Sequence, residues 1–323
     1  MTAAGARTMR RGGSTWRSSA WSAKRRRATR LGARARCGAG FLDRGVRGVP
    51  AASTIQRICV RNAVERVRPG RPAARLRFEA DEPNALWQMD FKGDFPLSRG
   101  GRCHPLTVCD DHSRFNIVLA SCADEQRETV QAQLTHAFQR YGLPERMLMD
   151  NGAPWGYAAG QPYTRLGAWL IRLDIQIVHG RPYHPQTQGK EERFHRTLRL
   201  EVLDRQPGWR DLGEVQGALD AWRPIYNFER PHDSLGGATP GSRYRPSVRA
   251  WPPRLPGVEY DRGETVRVVG DHGEVRFRGR EHRVGRAFRG ERVAVRAGGD
   301  GCWEVYYCKQ RIARIHLDGE PGR

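Results

Sequence analysis

Between residues 86 and 180 the apolar text comes in two rhythms, and their order limits the folds open to this chain. "LWQMDF" (86–91), "PLTVCDD" (105–111) and "RFNIVLA" (114–120) are short stretches bounded by turn residues, and each reads as a strand. "DEQRETVQAQLTHAFQRYG" (124–142) then places Val130, Leu134 and Phe138 at i, i+4 and i+8, one face of an amphipathic helix. A strand at 146–150, a helix at 164–174 and a strand at 175–180 follow, and then helices to about 205 and over 211–228. Three strands before the first helix imply an antiparallel meander, and the whole is a mixed α/β domain.

The flanking text is of different kinds. After Pro240, six stretches between 265 and 317 ("TVRVVG", "GEVRFRG", "REHRVG", "ERVAVRAG", "CWEVYYC", "RIARIHL") are short, alternating and punctuated by Gly or Asp. That pattern predicts a small all-β barrel over 258–320, joined through a Pro-rich linker at 246–257. Upstream, 48–80 reads as a short helix followed by a basic linker. Ser53 or Thr54 would cap the helix, with Ile55, Ile58 and Cys59 on one side and Gln56, Arg57 and Arg61 on the other. It has the form of the second half of a helix-turn-helix. Residues 1–47 are low-complexity, rich in Arg, Gly, Ala and Ser, with one acid, Asp43. They read either as a disordered basic arm or as garbled, out-of-frame text.

The net charge is +21, most of it within the first fifty residues, and points to a polyanionic partner. Only Lys24, Lys92, Lys190 and Lys309 are lysine among 56 cations, a bias that fits GC-rich coding. The seven cysteines form no C-x-x-C pair, so neither a zinc site nor a disulfide framework is expected. No apolar run approaches the roughly 18–20 residues of a membrane span, and no secretory leader is legible, so a cytoplasmic location is expected.

Three acidic positions share a structural logic. Asp90 lies in the first strand, Asp150 ends the fourth, and Glu191 or Glu192 opens the third helix in "HPQTQGKEERFHRTL" (184–198). If the two strands are neighbours, three carboxylates converge and require cations between them. Two divalent ions about 3.5–4 Å apart meet that need and serve phosphoryl transfer. Hard oxygen donors favour Mg²⁺, with Mn²⁺ as substitute, over zinc. At 100° per residue Glu191 falls with Phe194 and Leu198 on the packing face, while Glu192 falls above Arg199 beside His195 and Arg196. Glu192 is therefore the candidate.

"LWQMDF", "LMDNGAPW", "HPQTQGKEERFHRTL" and "YNFERPHDSLGGATP" (226–240) together resemble the catalytic core of bacterial insertion-sequence transposases of the DDE integrase superfamily, over about 81–245. The resemblance implies a ribonuclease-H-like mixed sheet flanked by helices. The family's motif acids fall on Asp90, Asp150 and Glu192, as catalytic and metal-holding residues. It further implies a polynucleotidyl transferase that cleaves element ends and joins them to target DNA, working as a homodimer or larger assembly on DNA. The setting would be the bacterial cytoplasm, at the nucleoid. The alternative is an inactive remnant that only binds DNA. Asp150 and Glu192 have 41 residues between them, so a loop at 153–166 must be absorbed. The same type of C-terminal barrel occurs in several such transposases.

Beside the acids, His184, Lys190, Arg193, His195, Arg196 and Arg199 read as phosphate contacts. Asp110 and Asp111 close the second strand and serve either its turn or the site. Asn151 and Gly152 form a sharp exit after Asp150, by turn chemistry or to admit DNA. Trp87, Trp155, Trp169 and Trp222 are expected to anchor the core or its loops. Arg230, Pro231 and His232 are expected to close the core on its last helix. Arg276, Arg278, Arg280, Arg283 and Arg286 offer a DNA track or a solvated face.

Overall fold

Strand β1 (Trp87–Phe91) lies at the centre of the first sheet, with β3 (Arg102–Asp110) antiparallel on one side and β5 (Arg146–Met149) parallel on the other. β4 (Asn116–Cys122) continues the antiparallel side beyond β3, and β2 (Phe95–Pro96) pairs with the start of β3. β6 (Gln176–His179) pairs parallel with β5. This is the ribonuclease-H-like mixed sheet: an antiparallel meander followed by two strands that each return through a helix. The computed structural model describes residues 79–150, 154–155, 163–179, 185–299 and 301–316, with positions 51 and 54. Apart from those two positions, the helix expected at 48–64 lies outside the described residues, as does the basic segment before it.

β3 and β4 are buried along nearly their whole length, because helices cover both faces of the sheet. On one face α1 (Arg127–Tyr141) and α2 (Arg165–Arg172) bury Val130, Leu134, Phe138, Leu166 and Leu170 against Trp87, Met89, Leu106 and Val108. On the other, α3 (Pro185–Glu201) and α4 (Leu212–Pro224) bury Phe194, Leu198, Leu219 and Trp222 against Cys109 and Leu119. Asp211 caps α4 by accepting from the Glu214 main-chain N–H at 3.0 Å. The α-helix expected to run on to 228 instead stops at Pro224 and continues as a π-helical turn over Ile225–Glu229. Pro224 lacks the N–H that would have bonded the preceding turn, and the wider turn closes with Arg230 N–H on Ile225 O at 2.8 Å.

All six strands expected after Pro240 are present. β7 (Thr265–Val268), β10 (Arg292–Ala297), β11 (Trp303–Tyr307) and β12 (Gln310–Ile315) form one antiparallel sheet, while β8 (Glu274–Phe277) and β9 (Arg280–Arg283) form a hairpin. This all-β unit packs on the α2 side of the core. Tyr163 meets Phe288 edge to face at 5.5 Å and donates to Arg311 O at 3.1 Å. Trp251, from the Pro-rich segment, stacks on Phe138 at 6.0 Å. No helix among the described residues is long and apolar enough to cross a membrane.

Candidate active site

The register of β1 on β5 decides where the two aspartates meet. Gln88 pairs with Leu148, and Asp90 and Asp150 each lie two residues further along parallel neighbours. Side chains alternate with period two, so both project to one face at one end of the sheet. The Asp90 carboxyl is pushed up to about 6, first by burial and then by the Asp150 charge beside it. The Asp150 carbonyl is bonded at 3.2 Å by the His179 ring of β6, which ties the end of β5 to its other neighbour. Trp155, buried, stacks on Phe91 at 5.5 Å and draws the chain after Asp150 back onto β1.

Helix α3 crosses this face and separates the two glutamates as its wheel requires. Glu191 is buried, with a carboxylate oxygen 3.4 Å from Thr107 Oγ1, and Glu192 is exposed. Burial first, then the Asp90 charge, hold the Glu191 carboxyl well above the ordinary carboxylate range. Glu192, Arg193, Arg196 and Arg199 share the outer face, where Arg199 pairs with Asp204 at 3.2 Å. The structure thus brings Asp90 and Asp150 together. Among the described residues no group of three His, Cys, Asp or Glu side chains is close enough to hold a metal ion.

Two residues expected to touch phosphate face inward instead. His195 is buried, its Nε2 2.8 Å from Thr107 Oγ1, and burial with the Lys92 charge hold its ring down at about 3. A neutral ring turned into the sheet does not offer a cation to DNA. Lys190 reaches Asp111 at 2.5 Å, under the helix rather than out from it. His184, Asn151 and Gly152 lie outside the described residues. Asp110 and Asp111 are structural: Asp110 accepts from the main-chain N–H of Asn84 and of Ser113 at 2.7 Å each. Asp111 accepts from Ala80 N–H at 2.7 Å and Gln88 at 2.5 Å. Trp87, Trp155 and Trp222 are buried, as core or loop anchors should be.

Integrase core domain models match residues 80–185 and 173–240, and the model of the IS481 family transposase C-terminal domain matches 264–320. The 39.2 kDa protein of insertion element IS476 from Xanthomonas euvesicatoria is 29% identical over 158 residues, which are 49% of this chain and 43% of that one. Over these segments the chain is similar to the DDE integrase superfamily, and to insertion-sequence transposases within it. The Gag-Pro-Pol polyprotein of squirrel monkey retrovirus is 34% identical over 127 residues, covering 39% of this chain and 6% of the polyprotein. The match therefore spans less than half the length of either relative. A chain of the simian T-cell lymphotropic virus intasome, solved with a PP2A regulatory subunit, covers 88% of this chain and 91% of its own at 16% identity, with a TM-score of 0.45.

Sequence reasoning missed Thr107 and gave His195 the wrong neighbourhood. The helical wheel held the signal for His195: four residues after Glu191, it falls about 40° from it and on the same side as Leu198. Thr107 carries no such signal, since a threonine in a strand is ordinary.

Proposed function

We propose that the chain is a DNA transposase that cleaves insertion-sequence ends and joins them to target DNA by metal-dependent phosphodiester transesterification. The observation that carries this reading is the Asp90–Asp150 pair, two carboxylates level on adjacent parallel strands, one of them half-buried and raised by that burial and then by the other. Hard oxygen donors that repel one another suit a divalent cation of the Mg²⁺ or Mn²⁺ type. Asp90, Asp150 and Glu192 would hold it, as a pair of ions. Bound there, the ions supply charge neutralisation at the attacking and leaving oxygens of the transfer.

The chain's own residues do the remainder. The main chains of β1 and β5 fix the aspartates, and α3 presents Glu192 on its solvent side, where a DNA backbone approaches. Arg193, Arg196 and Arg199 flank Glu192 and attract phosphate, a contact that positions DNA without reading its sequence. No covalent enzyme intermediate is required. The buried Cys103 and Cys122 thiols are pushed up to about 12 and about 11 by burial, which makes them poor nucleophiles. The insertion-element relatives and the transposase C-terminal match support a mobile-element substrate. Two ends must be held at once, so the working form is a homodimer or larger assembly on DNA.

A branched DNA that already presents a 3′-hydroxyl beside its target phosphate tests this directly. The full chain is expected to rejoin the strand with Mg²⁺ or Mn²⁺ and to stop when the metal is chelated. Binding without rejoining, in folded protein supplied with metal, would establish a DNA-binding remnant instead.

A further inference from the structure

We propose that Thr107 and His195 are positioning residues that register helix α3 against strand β1 and so set the spacing between Asp90 and Glu192. The inference rests on the reading of those two acids as metal-holding carboxylates. It starts from a polar knot in an apolar interface. Where α3 meets the sheet, Phe194, Leu198 and Val202 pack on Cys109 and Leu119. Thr107, on β3 directly across from Asp90, is fully buried among them.

Its hydroxyl makes two close contacts, besides the longer one to Glu191 Oε2 at 3.4 Å. Oγ1 donates to the main-chain oxygen of Asp90 at 2.9 Å, and His195 Nε2 lies 2.8 Å from the same oxygen atom. A hydroxyl has one proton to give. With that proton on the Asp90 carbonyl, the ring must donate its Nε2–H to the Thr107 oxygen, which fixes the tautomer. Nδ1 then faces Asp90 Oδ2 at 3.9 Å, too far for a direct hydrogen bond but close enough to limit how the carboxylate turns. One hydroxyl therefore links the Asp90 peptide to a ring on the helix that carries Glu192 three positions earlier. A valine would fill the same space in β3, so the hydroxyl contributes through its bonds. Groups that orient metal-holding side chains in this way are part of a site's working geometry.

Thr107→Val and His195→Phe each remove one partner while keeping shape, and Thr107→Ser restores the hydroxyl. In the full chain, binding of Mn²⁺ alone is measured by titration calorimetry, DNA affinity by fluorescence anisotropy, and rejoining by kcat and KM. Both isosteric variants are expected to lose about 10–100-fold in Mn²⁺ affinity and in kcat, as loss of an orienting partner does elsewhere. KM and DNA affinity stay at the parental level, and Thr107→Ser recovers both losses. In metal-free protein, nitrogen NMR of the His195 ring is expected to move in Thr107→Val and to return in Thr107→Ser. If one isosteric variant fails to fold, the other addresses the same bond from the opposite side. Folded variants with parental Mn²⁺ affinity and kcat overturn the inference alone. Weaker DNA binding in His195→Phe at parental Mn²⁺ affinity overturns it too, by making His195 a phosphate contact. A parent that neither binds Mn²⁺ nor rejoins DNA overturns the functional reading, and the inference with it.

Discussion

Arg230 Nη1 lies 2.9 Å from Glu201 Oε1, and both side chains are buried, at 7% and 0% exposed. Glu201 ends α3 and also accepts from Trp222 Nε1 of α4 at 2.9 Å, so one carboxylate ties the helix bearing Glu192 to the helix beside it and to the segment after the π-turn. Removing one partner leaves the other charge buried and uncompensated, which costs about 3–5 kcal/mol. Arg230→Met is expected to destabilise the protein by that order in urea unfolding. A loss close to zero would mean that the pair does not hold these helices.

Partial burial of Asp90, and then the Asp150 charge beside it, have a stability consequence of their own in metal-free protein. The folded Asp90 carboxyl titrates near 6, above its ordinary value of 3.8, so the folded state binds this proton more tightly than the unfolded chain. Stability is thus lost as pH rises from about 4 to about 6, and the penalty is full above that range. Asp90→Asn removes it. The variant is expected to melt higher than the parent at pH 7 without metal, with the advantage vanishing toward pH 4, while rejoining is abolished. A variant that melts lower at pH 7 would contradict the raised carboxyl.

Most of the scaffold was legible because its signals are local. Alternating residues bounded by Gly or Asp located all six C-terminal strands, and the i, i+4, i+8 set of Val130, Leu134 and Phe138 is the buried face of α1. The wheel of α3 separated Glu191 from Glu192 because a helix crossing a sheet buries one stripe. What failed was inference from residue type. Basic chemistry alone assigns His195 and Lys190 to DNA, yet their partners Thr107 and Asp111 lie 88 and 79 positions away. No local pattern announces a polar partner at that distance. The π-turn after Pro224 was hidden for the opposite reason, since its residues suit an α-helix and only the missing N–H redirects them.

The Pro-rich segment read as a linker is fastened to the core. Arg249 donates to the carbonyls of Pro144, Leu173 and Asp174, and its own carbonyl accepts from Leu143 N–H at 2.7 Å. Gly142, at φ +77°, leaves the space: an added Cβ would meet Ser247 O at 2.7 Å and Arg249 O at 2.8 Å. Gly142→Ala and Arg249→Ala are each expected to free this strap. Limited proteolysis should then cut within 246–257 faster than in the parent. Unchanged cleavage would mean that the segment is held by Trp251 and its neighbours without these contacts.

Lys190 is expected to matter to folding more than to DNA. Lys190→Met strips a cation from the buried Asp111 carboxylate, which keeps only its neutral donors and the longer Arg114 contact at 3.8 Å. Urea unfolding should show a loss of about 1–3 kcal/mol, the cost of a buried charged group left short of a partner. DNA affinity measured by anisotropy should change little. A stable variant with much weaker DNA binding would restore Lys190 as a phosphate contact.

The central claim is that Glu192, on the exposed side of α3, works with Asp90 and Asp150, while its buried neighbour Glu191 does not. The measurement is strand rejoining on the branched DNA substrate with Mn²⁺, comparing Glu192→Gln with Glu191→Gln in the full chain, each checked for a folded thermal transition. The account predicts that Glu192→Gln abolishes rejoining and that Glu191→Gln keeps it. Rejoining that survives Glu192→Gln and is lost in Glu191→Gln would contradict the account and assign the third carboxylate to the buried face of the helix.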